Sequence, residues 1–343
     1  VGLTAASAFQ RLRRGRAMQR LQRFRPAWRQ NRCGQQLAAA RGAGHSDASP
    51  TPRRGACEVA APRPLRGALL DIDGTLVDNG VAIPGAVAAL ERLRSGIPGL
   101  RFVTNQTQSS GASALANLRA AGFHADDAEF FGVLSAARRL VDERGLRPKL
   151  LLSGSALEDF AGVPTNDPNA VIVGTSPEHL HYEGLNEAVR ILMESEDSQL
   201  IALNKGRYYR RSDGFALMAG PFVAALEFAT SRAATLVGKP SPDFFLAAVR
   251  DLVRGEQAVD LSRFVMVGDD FNDDVAGSMD TGMEAILLRT GKYRQGDEDR
   301  MPRPPLFVAD DIAHAVDFLT AQGFLQPQLP PELSPGELRP AFF

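Results

Sequence analysis

Residues 67–76 read Gly67-Ala68-Leu69-Leu70-Asp71-Ile72-Asp73-Gly74-Thr75-Leu76. A short apolar run that gives way to two carboxylates and a glycine describes a buried strand ending in a tight turn. Strands of a parallel sheet are covered on both faces, so they lose the polar alternation of a half-exposed strand. The same texture returns at residues 100–103, 149–152, 170–173, 199–203, 234–237, 264–267 and 285–288. Helical signals lie between these runs. Pro84-Gly85-Ala86 opens a helix with Val87, Leu90 and Leu93 on one face, and Pro177 opens another with Leu185, Val189 and Leu192. Ser241-Pro242 supplies an N-cap and a first-turn proline ahead of Phe245, Val249 and Leu252. Strands alternating with helices predict an α/β fold built on a doubly wound parallel sheet.

Ligands of such a sheet bind beyond the carboxyl ends of its strands. Four strand ends carry chemistry: Asp71-Ile72-Asp73-Gly74, Thr104-Asn105, Gly238-Lys239-Pro240, and Gly268-Asp269-Asp270-Phe271-Asn272-Asp273-Asp274. Singly each is ordinary, since an Asp-x-Asp is usually a cap or a solvated loop, and Thr-Asn after a strand is a common cap. Together and in this order they predict one site. If Asp71, Asp73, Asp269 and Asp274 converge, each pair of carboxylates ~4 Å apart costs about 4 kcal/mol at an effective dielectric near 20. A hard divalent cation offsets that repulsion, and oxygen ligands without His or Cys favour Mg²⁺ over zinc. Lys239 and Thr104 then supply a cation and a hydroxyl for phosphoryl oxygens.

Composition bounds the rest. The chain has 343 residues and a formal net charge of -1, a length that suits two ordinary domains or one core with an insertion. Residues 1–66 hold 14 Arg against Asp47 and Glu58, a charge of +12, and the remainder carries -13. The Arg-rich segment reads as a mitochondrial or plastid transit sequence, as a solvated tail, or as upstream sequence that is not natively translated, since the first methionine is Met18. Without a transit role for that segment, the expected location is cytoplasmic. Nucleic acid is not an expected partner, because aromatics interleave that charge only at Phe24 and Trp28. No apolar run reaches the roughly 18–20 residues that span a bilayer. Cys33 and Cys57 are too few for a disulfide framework. Residues 326–343 carry five prolines and read as an extended tail.

The set Asp71-x-Asp73-Gly74-Thr75, Thr104, Lys239 and Gly268-Asp269-x-x-x-x-Asp274 resembles the motifs of the haloacid dehalogenase superfamily. Pro84-Gly85-Ala86, Val103-Thr104-Asn105 and Gly238-Lys239-Pro240-Ser241 narrow the resemblance to its NagD-like branch, and Lys205-Gly206-Arg207-Tyr208-Tyr209 and Arg289-Thr290-Gly291-Lys292-Tyr293 extend it. The resemblance implies a core domain of residues 67–154 and 233–325, interrupted by a smaller αβ cap of residues 155–232, with homodimers formed through the cap. It implies a Mg²⁺-dependent phosphatase acting on a small phosphorylated substrate. Asp71 would be the nucleophile and Asp73 the acid and base. Thr104, Asn105 and Lys239 would hold the phosphoryl group, and Asp71, Asp73, Asp269 and Asp274 the metal. Lys205, Arg207, Tyr208 and Tyr209 of the cap are either substrate contacts or an exposed basic hairpin.

Two alternatives share the constellation: a phosphotransferase or mutase using the same aspartyl-phosphate, and a non-catalytic phosphate-binding module. Asp73, two residues after the nucleophile, favours hydrolysis. Other motifs fall short. Ala233 and Pro240 stand where a P-loop needs Gly and Ser or Thr, and Val275 and Thr281 where a calcium loop needs Gly and Glu. His179 and His181 read as surface residues of a helix, and no Gly-x-Ser-x-Gly is present.

Overall fold

The computed structural model describes residues 63–326 apart from Ser212. The transit, tail and upstream readings of residues 1–66 therefore fall almost wholly outside the described residues, as does the proline-rich stretch after Gln326. Ten strands build two sheets: β1 (Gly67–Asp71), β2 (Leu100–Thr104), β3 (Phe130–Gly132), β4 (Pro148–Leu151), β5 (Ala170–Val173), β6 (Gln199–Ala202), β7 (Thr235–Leu236), β8 (Phe264–Gly268), β9 (Glu284–Leu288) and β10 (Phe307–Ala309). The larger sheet runs β10-β9-β8-β1-β2-β3 and the smaller β7-β6-β5-β4, and every pairing within them is parallel.

The expected fold class is found: a parallel α/β sheet wound in both directions from β1. Its side chains split by parity. Ala68 and Leu70 of β1 join Phe102, Val265 and Val267 in one apolar layer, while Leu69 joins Val103, Phe264 and Met266 in the other. Burial on both faces is what made these runs unbroken in sequence.

Two runs read as core strands lie elsewhere. Residues 149–152 and 234–237 supply β4 and β7 of the smaller sheet, in register as Pro148 with Ala170 and Thr235 with Ile201. That sheet thus spans 148–236, wider than the 155–232 expected for the cap. An apolar run records that a strand is covered but not which neighbour it hydrogen-bonds, so periodicity had no means of assigning these two. The edge strands β3 and β10 were not foreseen, because three residues are too few to show a pattern.

The smaller sheet is firmly seated. One face packs under the helices Tyr182–Glu194 and Gly220–Thr230 through Val171, Val173, Leu200 and Ala202. Its other face, with Ile172, Ile201 and Leu203, merges with the core layer that includes Val133, Leu134 and Ala137 of the helix Val133–Arg144. The helix expected from Pro177 begins later, at Tyr182, where the His181 imidazole caps it by accepting from the Gly184 N–H at 3.4 Å. His181 is therefore a cap rather than a helix-surface residue.

Candidate active site

Strand order places the site. The chain leaves β1 toward β2 and β3, and returns on the opposite flank of β1 as β8. The crevice at such a reversal lies at the carboxyl ends of the two central strands. Leu70 is in register with Val267, so Asp71 and the Gly268-Asp269 pair leave the sheet side by side although 198 positions apart.

Acid and base meet in a space almost closed to water. Carboxylate oxygens of Asp71, Asp269 and Asp274 lie within 4.8 Å of one another, and all three residues are buried. Lys239, 3% exposed, reaches in from the turn after β7. Its Nζ lies 2.5 Å from Asp71 Oδ1 and 2.7 Å from Asp274 Oδ1, and it donates to the Val103 carbonyl at 3.4 Å. Burial opposes the lysine's charge, but the fields of Asp274 and Asp71 outweigh it and hold its pKa above the ordinary value. For the acids, burial dominates. It pushes Asp269 up to about 8, with Asp71 and Asp274 adding repulsion, and it pushes Asp274 up to about 6 against the field of Lys239.

The turns that hold these groups leave no room for side chains. A Cβ on Gly238 would stand 2.4 Å from both Asn105 Oδ1 and the Leu203 carbonyl. Asn105 binds the Lys239 backbone in both directions, Nδ2 donating to its carbonyl at 2.8 Å and Oδ1 accepting its N–H at 2.9 Å. The Asn105 side-chain amide thereby fixes the turn that carries Lys239. Thr104 is buried at the end of β2, its Oγ1 accepting the Gln106 N–H at 3.1 Å. Asp73 stands apart from the buried triad and opens to solvent, its backbone bridged to Val77. Desolvation of the recess raises its carboxyl above the usual range against the fields of Lys292 and Lys239.

Sequence reading assigned no role to the loop after β9. Thr290 Oγ1 donates to the Gly74 carbonyl, and the Lys292 N–H donates to Asp269 Oδ2 at 2.6 Å. Gly291 sits between them at φ +50°, where a Cβ would fall 2.1 Å from Asp269 Oδ2. Residues 290–292 thus clamp the Asp269 carboxylate. The only signal was the Arg289–Tyr293 stretch of the family resemblance, which pointed to kinship and not to a role. In the cap, Lys205 pairs with Glu227 at 2.7 Å and Arg207 lies over the Tyr208 ring at 5.9 Å.

Two family profiles match, a haloacid dehalogenase-like hydrolase profile over residues 68–161 and a HAD-hydrolase-like profile over residues 236–315. Haloacid dehalogenase-like hydrolase domain-containing protein 2 of Rattus norvegicus is 47% identical over 262 residues, covering 76% of this chain and 98% of that protein. The chain belongs to the haloacid dehalogenase-like hydrolases. Within that family, phospholysine phosphohistidine inorganic pyrophosphate phosphatase of Xenopus laevis is 39% identical, over 75% of this chain and 95% of the relative. NagD from E. coli K-12 superposes with a TM-score of 0.65 at 25% identity, covering 73% of this chain and 98% of NagD. This places the chain in the NagD-like branch, as a phosphatase-type hydrolase. A glycerol phosphate phosphatase from Mycobacterium tuberculosis, solved in complex with magnesium, superposes at 0.63 with 25% identity over 73% of this chain and 77% of its own.

The acidic triad suits a hard cation. Asp269 Oδ2 is taken by the Lys292 N–H, while Asp269 Oδ1 is buried with no hydrogen-bond partner. A buried carboxylate oxygen without a donor is costly unless a cation faces it, and an all-oxygen donor set matches Mg²⁺. Among the described residues, no helix is long and apolar enough to cross a membrane.

Proposed function

We propose that this haloacid dehalogenase-type phosphatase hydrolyses a small phosphate ester, phosphoamidate or pyrophosphate through an aspartyl-phosphate on Asp71, with Mg²⁺ at the acidic triad. The observation that carries the reading is the Lys239 ammonium bridging Asp71 and Asp274 in a buried cluster that also contains the unpartnered Asp269 Oδ1. Mg²⁺, held by Asp71, Asp269, Asp274 and the Asp73 carbonyl, would neutralise charge on the transferring phosphoryl group.

The chain's own groups account for the two steps. An Asp71 carboxylate oxygen bonds to phosphorus as the bond to the leaving group breaks, and Asp73 gives its proton to the departing atom. The raised pKa of Asp73 suits that donation, since it extends the range in which the proton is present. Asp73 then takes a proton from water as the water oxygen attacks phosphorus, which frees phosphate and restores Asp71. Lys239 fixes the Asp71 carboxylate and, with Thr104 and Asn105 at the end of β2, would hold the phosphoryl oxygens. The smaller sheet supplies the cap that excludes bulk water.

Phosphate release from 4-nitrophenyl phosphate, with and without Mg²⁺, is the test. The wild-type chain turns over only with the metal, and Asp71→Asn abolishes turnover while melting as a folded protein. Unchanged turnover in that variant refutes covalent catalysis. Release to water rather than to an added alcohol separates hydrolysis from phosphotransfer. The cap is also proposed to form a homodimer, supported by exposed Tyr182, Phe215, Leu217 and Phe228 on its surface; sedimentation of a monomer at micromolar concentration would contradict it.

A further inference from the structure

The cap cations singled out by sequence are engaged elsewhere: Lys205 with Glu227, and Arg207 over Tyr208. The cation at the mouth of the site comes instead from the core. Lys292 follows the glycine packed against Asp269, and its own N–H binds the Asp269 carboxylate, so its backbone is tied to the acidic cluster. Its side chain is 64% exposed, and the ammonium lies 3.3 Å from Asp270 Oδ2. Lys239 contacts Asp71 and Asp274 and is closed to solvent, whereas the Lys292 side chain, on the residue whose N–H holds Asp269, is open to it.

Charge explains why a cation is needed there. Asp71, Asp269 and Asp274 share one buried cluster with Asp270 and Asp273 beside it, and Lys239 with a divalent ion would return only three of those five formal charges. A phosphoryl group is drawn into the buried end by Lys239 and the metal. A second negative charge on the leaving group would meet an acidic rim unless another cation received it. In-line attack by the buried Asp71 sends the leaving group away from that carboxylate, toward the solvent-facing side where Asp73 is exposed and the Lys292 side chain is open to water. Lys292 therefore stands on the leaving-group side.

Resting on the phosphatase reading above, we propose that Lys292 is a specificity-determining residue whose ammonium receives a second anionic group on the leaving side of the substrate, as in a phosphoanhydride. An ammonium on a flexible, largely exposed stem that is paired with one carboxylate can exchange that partner for substrate. A dianionic leaving group offers that ammonium a charge-assisted hydrogen bond in exchange.

The experiment compares inorganic pyrophosphate with 4-nitrophenyl phosphate as substrates of the full chain in saturating Mg²⁺, for wild type, Lys292→Met and Lys292→Arg. Methionine keeps the apolar stem and removes the charge. The ratio of kcat/KM for pyrophosphate to that for 4-nitrophenyl phosphate falls at least about tenfold in Lys292→Met, equivalent to about 1.4 kcal/mol. The loss appears mainly in KM for pyrophosphate, and Lys292→Arg recovers most of it. A loss shared equally by both substrates, as a purely structural role would give, overturns the assignment, and so does a ratio unchanged from wild type. The wild-type rate on 4-nitrophenyl phosphate reports separately on the phosphatase reading. With neither substrate turned over, that reading falls and this inference with it.

Discussion

Replacing Lys239 by methionine removes the one buried cation under the nucleophile. The Nζ lies 2.5 Å from Asp71 and 2.7 Å from Asp274 in a side chain 3% exposed. The variant leaves two buried carboxylates facing Asp269 with no ammonium between them. Losing one partner of a buried ion pair costs about 3–5 kcal/mol. In a protein of this size each kcal/mol lowers Tm by roughly 2–4 °C, so the metal-free variant melts about 6–20 °C below wild type. The deficit is larger at pH 8 than at pH 5, because protonation of the stranded carboxylates relieves part of it at the lower value. Adding Asp274→Asn removes one stranded charge and recovers part of the loss, with a coupling of about 0.5–3 kcal/mol between the two sites. Phosphate release falls about 10²–10³-fold in kcat, the usual cost of deleting one preorganised donor to developing charge. Differential scanning calorimetry in EDTA reads the stability, and a phosphate-release assay in Mg²⁺ reads the rate. A variant melting within about 2 °C of wild type, the shift expected of under 1 kcal/mol, would show that Lys239 does not neutralise this cluster.

Two further outcomes follow from the clamp on Asp269. This carboxyl titrates near 8 in the folded metal-free protein against about 3.9 in an unfolded chain, so between those values the folded state binds the extra proton and its stability falls as pH rises. Asp269→Asn removes that slope and melts above wild type at pH 8 in EDTA, while wild type alone is stabilised by added Mg²⁺; identical pH slopes for the two proteins would contradict it. Gly291→Ala drives a Cβ to 2.1 Å from Asp269 Oδ2 in a left-handed backbone conformation, so it displaces the carboxylate and weakens Mg²⁺ affinity in a calorimetric titration, an effect absent if the 290–292 loop only decorates the site.

Much of the chemistry was legible in the chain because it is local. Asp71-Ile72-Asp73-Gly74 announces a strand end and a turn within four residues, and Gly268-Asp269 does the same. The runs of β1, β2, β8 and β9 were readable because both faces of each are buried, which forces unbroken apolar sequence. That much followed from composition along the strand, and the motif set then named the residues that matter.

Pairing partners are another matter, because a hydrogen-bonded neighbour leaves no trace in a strand's own residues. Only the folded chain decided that 148–151 and 235–236 join the smaller sheet, so that Lys239 reaches the active site from the end of one of its strands. Only it set Gly291 against Asp269, turned the amide of Asn105 onto the Lys239 backbone, and paired the Lys292 ammonium with Asp270. Sequence determined which groups carry the chemistry, through residue type and local spacing. Tertiary structure decided which of them touch, because contacts between residues some two hundred positions apart are set by sheet order and register, quantities that no single segment encodes.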